Sequence, residues 1–183
     1  MKKATVTTFT VPDSSDMSRR NRQLSISLKK KIGFLPNLYA YMTKSETALN
    51  HYLQLQNRES TLSKQEREVI KVLVSQLNQC WYCLSAHTEF LKLTELTEEQ
   101  VIEIRKGGAS FDARLEALVQ FTTAIINHRG DLSEQAIINF FLAGYNEANL
   151  IDLVITIGEV IIVNYLQNMV QVENDFPVAD NIF

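Results

Sequence analysis

The chain has two cysteines, Cys80 and Cys83, three positions apart, with His87 four positions further on. Two thiols at that spacing can close reversibly to a disulfide, and each can ease the ionisation of the other. An imidazole one helical turn past the second sulfur can carry a proton for it. Thiol chemistry is therefore the first expectation. A free thiol with a pKa of about 8.5 is only about 3% thiolate at neutral pH, and lowering the pKa to about 6.5 raises that share to roughly three quarters. Two influences could do so, and they favour different sulfurs. A helix N-terminus would favour charge on Cys80, whereas His87 would favour Cys83. On the residues alone, the first attacking sulfur stays open.

Zinc is the competing use of such a pair. A zinc site would need a fourth ligand beside two thiolates and one imidazole; Glu68 could supply it, but no second C-x-x-C exists to make a closed site, so neither a metal nor a cofactor is expected. His51 and His128 have no cysteine or acidic cluster in sequence reach. They read as a surface residue and a helix C-terminal cation.

The chemistry constrains the elements that carry it. Cβ atoms three apart in a regular helix lie about 5–6 Å from each other, while a disulfide needs about 3.8 Å. Cys80 must therefore sit at a helix end. Asn78 offers a break and a new cap, which puts Cys80 in the first turn of a helix running to about Lys92, with Cys80, Cys83 and His87 on one stripe. The preceding helix opens with a capping box at Ser63–Glu66 and continues through Ile70, Leu73 and Leu77. Further starts are predicted near Asp16, at Ser45, at Thr97 with Gln100, at Asp112, at Ser133 and at Asn146, with stops at Gly33, Gly107 and near Gly144. The last helix, to about Val172, is apolar nearly all round, with Ile151, Val154, Ile155, Ile161 and Ile162 spread over its circumference. Such a helix is central in a core or covered by another subunit. Phe121, Ile125, Phe140 and Phe141 read as core, and Trp81 and Tyr82 as packing residues. No strand pattern competes, so the expected fold is an all-α, single-domain helical bundle over residues 15–183, after an extended segment over residues 1–14.

Composition narrows the partners. The 183 residues are 45% hydrophobic and 21% charged, with a net charge of −3 and an isoelectric point of about 5.7. That balance gives no case for nucleic acid, and Lys29–Lys31 reads as a solvated face. The stretch from Ile151 to Leu166, interrupted by Asp152 and Glu159, reads as too short and too charged to span a bilayer. No apolar segment follows the start of the chain, so a cytoplasmic protein is expected, a setting in which C-x-x-C serves catalysis or metal binding more often than structure.

Asn78-x-Cys80-x-Tyr82-Cys83-x-x-Ala86-His87 resembles the signature of the alkylhydroperoxidase D-like proteins of the carboxymuconolactone decarboxylase superfamily, especially their peroxidase-related branch. Gly33-Phe34-Leu35-Pro36-Asn37-Leu38, Asp112-Ala113-Arg114-Leu115 and Asn164-Tyr165 look like further landmarks of that branch. The resemblance implies a thiol-dependent peroxidase or disulfide oxidoreductase acting on a hydroperoxide, reduced by a thiol or protein partner and built as a homo-oligomer. It also implies roles. Glu68, twelve positions before Cys80, pairs with His87 as a proton relay; Cys83 becomes a sulfenic acid; Cys80 resolves it and donates a proton. The residues themselves say less about Glu68. It lies opposite the Ile70–Leu73–Leu77 stripe, where a solvated glutamate is the ordinary expectation, although Val72 on that flank leaves room for a buried role. The chain departs from the pattern in having Tyr82 where the prototype has a histidine, and Gln167-Asn168 where the branch often has Asn-His. The family's decarboxylases lack the cysteine pair, which disfavours lactone decarboxylation. The alternative is a non-catalytic, oligomeric redox-sensing or binding module on the same fold.

Overall fold

A computed structural model describes residues 9–182. Among these residues there is no strand, and the all-α expectation holds. Of the segment read as extended, residues 1–8 lie outside the described residues; residues 9–13 carry no regular element and Ser14–Asp16 form a 3-10 turn. The helices are α1 (Arg19–Ile32), α2 (Asn37–Met42), α3 (Ala48–Gln56), α4 (Lys64–Leu77), α5 (Trp81–Lys92), α6 (Glu98–Arg105), α7 (Ala113–His128), α8 (Glu134–Leu142) and α9 (Glu147–Val170).

The starts follow the local chemistry. Ser63 with Glu66, Thr97 with Gln100 and Asn146 with Asn149 close capping boxes, while Asp112 and Ser133 cap α7 and α8 with their side chains. Gly33 ends α1 with φ of 98°, a left-handed conformation that costs glycine little. Ser45 does less than expected. Its hydroxyl accepts from the Ala48 amide, but α3 begins only after Thr47, and α2 is a separate short helix before it.

Helix α4 is the centre of the bundle and packs on α5, α7 and α9. Val69, Ile70, Val72, Leu73 and Val74 are all buried, so this helix is covered nearly all round. Each such side chain contributes about 1.5–3 kcal/mol by leaving water. One apolar cluster joins α4 to α7, α8 and α9; a second, made by α1, α2, α3, α5 and α9, contains both cysteines. In the first, Phe140 stacks on Phe121 and Tyr145, but Phe141, read as core, is 37% exposed. Its neighbour Phe140 takes the inward position, and adjacent helical residues cannot share one face.

Helix α9 corrects one reading. It runs 24 residues, longer than the apolar stretch counted in the sequence, and by length and composition it could cross a membrane. Its packing is that of a core helix: Leu153, Thr156, Glu159, Val160 and Asn164 are buried against the bundle.

Candidate active site

Three elements deliver the site. Helix α4 supplies Glu68, α5 supplies Cys83 and His87, and the turn between them supplies Cys80. That turn differs from the expected one. Asn78 caps the C-terminus of α4 and not the start of α5; Gln79 reverses the chain at φ of 53°, and Cys80 itself is the N-cap of α5. The Cys80 amide donates to the Ser75 carbonyl at 3.0 Å, which holds the turn. As the N-cap residue, Cys80 holds its sulfur at the amide end of α5, where the Cys83 backbone amide helps to lower its pKa.

Both cysteines are free thiols. Cys80 is fully buried and Cys83 is 3% exposed. The two thiols titrate as an interacting pair. The Cys83 thiol bonds to Cys80 and lowers its pKa from the ordinary thiol value, outweighing burial, with Asn164 assisting. For Cys83 the same bond, together with burial, pushes the pKa well up. Of the two sulfurs, Cys80 thus ionises first and Cys83 resists, as interacting acids in contact do.

A cavity of about 50 Å³ lies over Cys83, enough for one or a few water-sized groups. Cys83 and His87 line it with Tyr39, Tyr52, Tyr82, Phe90 and Phe176. Cys80 does not line it. The stripe expected to carry Cys80, Cys83 and His87 together therefore presents two of the three to the cavity, because a residue at the cap lies outside the helical repeat.

His87 Nδ1 lies 2.9 Å from Glu68 Oε2, with both side chains buried. A carboxylate only accepts, so Nδ1 donates to Glu68, and a ring without a second proton has its lone pair on Nε2. Burial by itself would raise the Glu68 carboxyl, but the His87 ring and then the Lys71 ammonium outweigh it and hold the pKa down to about 2. The solvated reading of Glu68 is thus overturned. Helices α4 and α5 are in direct contact, and a carboxylate on the shared face can only be buried with a partner. His51 and His128 are exposed, and His128 stands in the last turn of α7.

Several residues of the site carried no local signal. Tyr82 donates to Asp175 Oδ1 at 2.7 Å and accepts from the Leu38 amide at 3.3 Å, while Asp175 Oδ2 accepts from the Asn37 amide at 2.6 Å. The tyrosine in the histidine's place thus ties the C-terminal segment to α2. Phe176, next to Asp175, closes the cavity and meets Tyr82, Phe34 and Phe90 edge-on. Asn164 accepts from Asn78 at 3.0 Å and donates to Ser75 Oγ at 3.2 Å, behind the thiols. Trp81, read as packing, is 47% exposed. A polar residue inside an apolar run, as at Lys71 or Glu159, was the one available clue to a buried charge.

Comparison with known proteins agrees with this architecture. Residues 43–124 match the model of the carboxymuconolactone decarboxylase family, and that span holds Glu68, Cys80, Cys83 and His87. No curated protein matches the chain. Among solved structures, the chain resembles the alkylhydroperoxidase AhpD core of a peroxidase-related protein from Ralstonia eutropha JMP134, at 20% identity over 90% of each chain with a TM-score of 0.82. A peroxidase-related protein from Silicibacter sp. TM1040 is 21% identical over 95% of this chain and 93% of that one, with a TM-score of 0.79. The debrominase Bmp8, in complex with 2,3,4-tribromopyrrole, is 16% identical over 92% of each chain with a TM-score of 0.74. Likeness at these identities is likeness of fold. In fold the chain is like the alkylhydroperoxidase AhpD core, and its residues 43–124 match the carboxymuconolactone decarboxylase family.

Proposed function

We propose that this chain, alkylhydroperoxidase D-like in fold and carrying the carboxymuconolactone decarboxylase family segment, is a thiol-dependent peroxidase whose redox centre is Cys80 and Cys83. One observation carries the reading: Cys83 and His87 face the same small cavity while Glu68 holds the far side of the imidazole. His87 Nε2 takes the Cys83 proton, and the thiolate attacks the terminal peroxide oxygen. The O–O bond breaks, an S–O bond forms, and the imidazolium returns the proton to the departing alkoxide. Cys80 then attacks the Cys83 sulfur. The S–O bond breaks, water leaves with the Cys80 proton, and a disulfide remains for an external thiol or protein reductant to open. A reducing, cytoplasmic setting suits such a centre.

Turnover is the test. The purified protein, given a dithiol and a hydroperoxide, is expected to consume many equivalents of peroxide. After mild oxidation without the dithiol, the peptide spanning both cysteines should lose the mass of two hydrogens. A redox sensor would be oxidised once per chain and stop. Stable zinc at one per chain in the purified protein would reject the redox centre.

The assembly is part of the same proposal. Ile151, Val154, Ile162, Tyr165 and Met169 on α9 are each about half exposed or more, a large apolar face for an isolated chain. A symmetric homo-oligomer of at least two subunits would cover it. Sedimentation at micromolar protein is expected to give a multiple of the 20.9 kDa chain mass. A single monomer-mass species would reject the assembly.

A further inference from the structure

A buried row of charges runs from the loop after α3, across α9 and α4, to the imidazole. Arg58 Nη1 lies 3.0 Å from Glu159 Oε2, and Glu159 Oε1 lies 3.1 Å from Lys71 Nζ. Lys71 Nζ lies 3.4 Å from Glu68 Oε1, and Glu68 Oε2 takes the His87 Nδ1 hydrogen at 2.9 Å. Each carboxylate divides its two oxygens between two partners, and the signs alternate along the row. The Lys71 and Glu159 side chains are only 6% and 1% exposed. Arg58 is anchored further by the carbonyls of Leu55 and Asp152 and by Thr156 Oγ1.

Burying four charges costs several kcal/mol for each ion, and apolar residues of similar volume often hold a core as well. Stability is thus a weak reason for the row. Its position gives a better one. Glu68 alone beside a buried imidazole would draw a second proton onto the ring, by the ordinary effect of an opposite charge in contact. A cationic imidazole has no lone pair with which to take the Cys83 proton. Lys71 sits on the other Glu68 oxygen and competes for that charge. With His87 neutral, the four fixed charges sum to zero.

We infer that Lys71, held by Glu159 and Arg58, is a positioning residue that shares the charge of Glu68 and so keeps His87 a neutral base toward Cys83. The inference rests on the peroxidase reading for its purpose, though not for its electrostatics. The other groups facing the row do not replace it. Tyr39 from α2 and Tyr52 from α3 face Glu159 and Cys83, and burial pushes both phenols up, so they stay uncharged. Phe90 meets the His87 ring edge-on at 6.0 Å and carries no charge.

The test is a pH titration of the His87 ring by NMR in the full chain, without peroxide, in the wild type and in Lys71→Met, Lys71→Arg and Glu159→Gln. Lys71→Met is expected to move the His87 midpoint up by about one pH unit, and Lys71→Arg to restore it. Glu159→Gln leaves Lys71 wholly to Glu68 and is expected to move the midpoint down. The pH at which alkylation of Cys83 reaches half its maximal rate should move in the same directions. A midpoint unchanged or lowered in folded Lys71→Met would overturn the inference. Should that variant not fold, an unchanged or raised midpoint in Glu159→Gln does the same. Wild-type protein that titrates as expected yet consumes no peroxide would remove the peroxidase reading and leave the charge-sharing role standing.

Discussion

Replacing Cys83 with serine is expected to abolish peroxide consumption, a loss of at least about three orders of magnitude, and to leave Cys80 almost unlabelled by dimedone in the presence of peroxide. Two features oppose each other here. Ionisation favours Cys80, whose pKa is lowered by the Cys83 bond and Asn164 and which lies at a helix N-terminus. Access favours Cys83, which lines the cavity with His87 while Cys80 is fully buried. Access is expected to decide the order, because a thiolate that no peroxide reaches has nothing to attack, however large its ionised fraction. The readily ionised Cys80 then suits the second step, attack on an oxidised neighbour already in contact. Cys80→Ser should therefore undergo one oxidation and retain a sulfenic acid on Cys83 that dimedone captures. Strong labelling of Cys80 in the Cys83→Ser protein would show that the helix terminus decides the order.

His87→Ala is expected to slow oxidation of the reactive thiol by about two orders of magnitude, the lower part of the range for a lost general base. Glu68→Gln should slow it less, since an amide oxygen can still accept from Nδ1 and orient the ring. Alkylation of the thiols at neutral pH, with peroxide kept out, is the direct measurement. Wild-type rates in both variants would exclude the pair from the site. Glu68 also leaves a signature in stability. Its carboxyl is held down to about 2 from an ordinary 4.5, so the stability it contributes is complete above the ordinary value and lost as pH falls toward 2. Chemical denaturation across that acid range should show a slope in the wild type that Glu68→Gln flattens.

The helices were legible wherever the decision is local. Ser63 and Glu66, or Thr97 and Gln100, satisfy each other's amides within one turn, and those starts stand where the sequence placed them. Boundaries set by distant contacts were not legible. Asn78 looks like a cap, yet its amide is engaged by Asn164, 86 residues away, and the cap passes to Cys80. The C-terminal segment had no periodicity to announce it, because its order comes from single contacts with distant residues, among them Tyr82, the Asn37 amide, Ser85 and Arg105.

The same division runs through the site. Sequence alone determined that Cys83 and His87 lie one turn apart on one helix, with Cys80 within three residues of Cys83, since covalent spacing and helical period set those distances whatever surrounds them. Resemblance added the role of Glu68, but its burial could not be read from α4, whose helical repeat puts it opposite the apolar stripe. Only the tertiary structure decided that both faces of α4 are covered, that Glu68 meets His87, and that Lys71, Glu159 and Arg58 complete a neutral row behind them. It alone decided which sulfur faces the cavity. The reason is physical: an isolated helix fixes the distance between its own side chains, whereas burial, charge pairing and access depend on which other helix lies against each face.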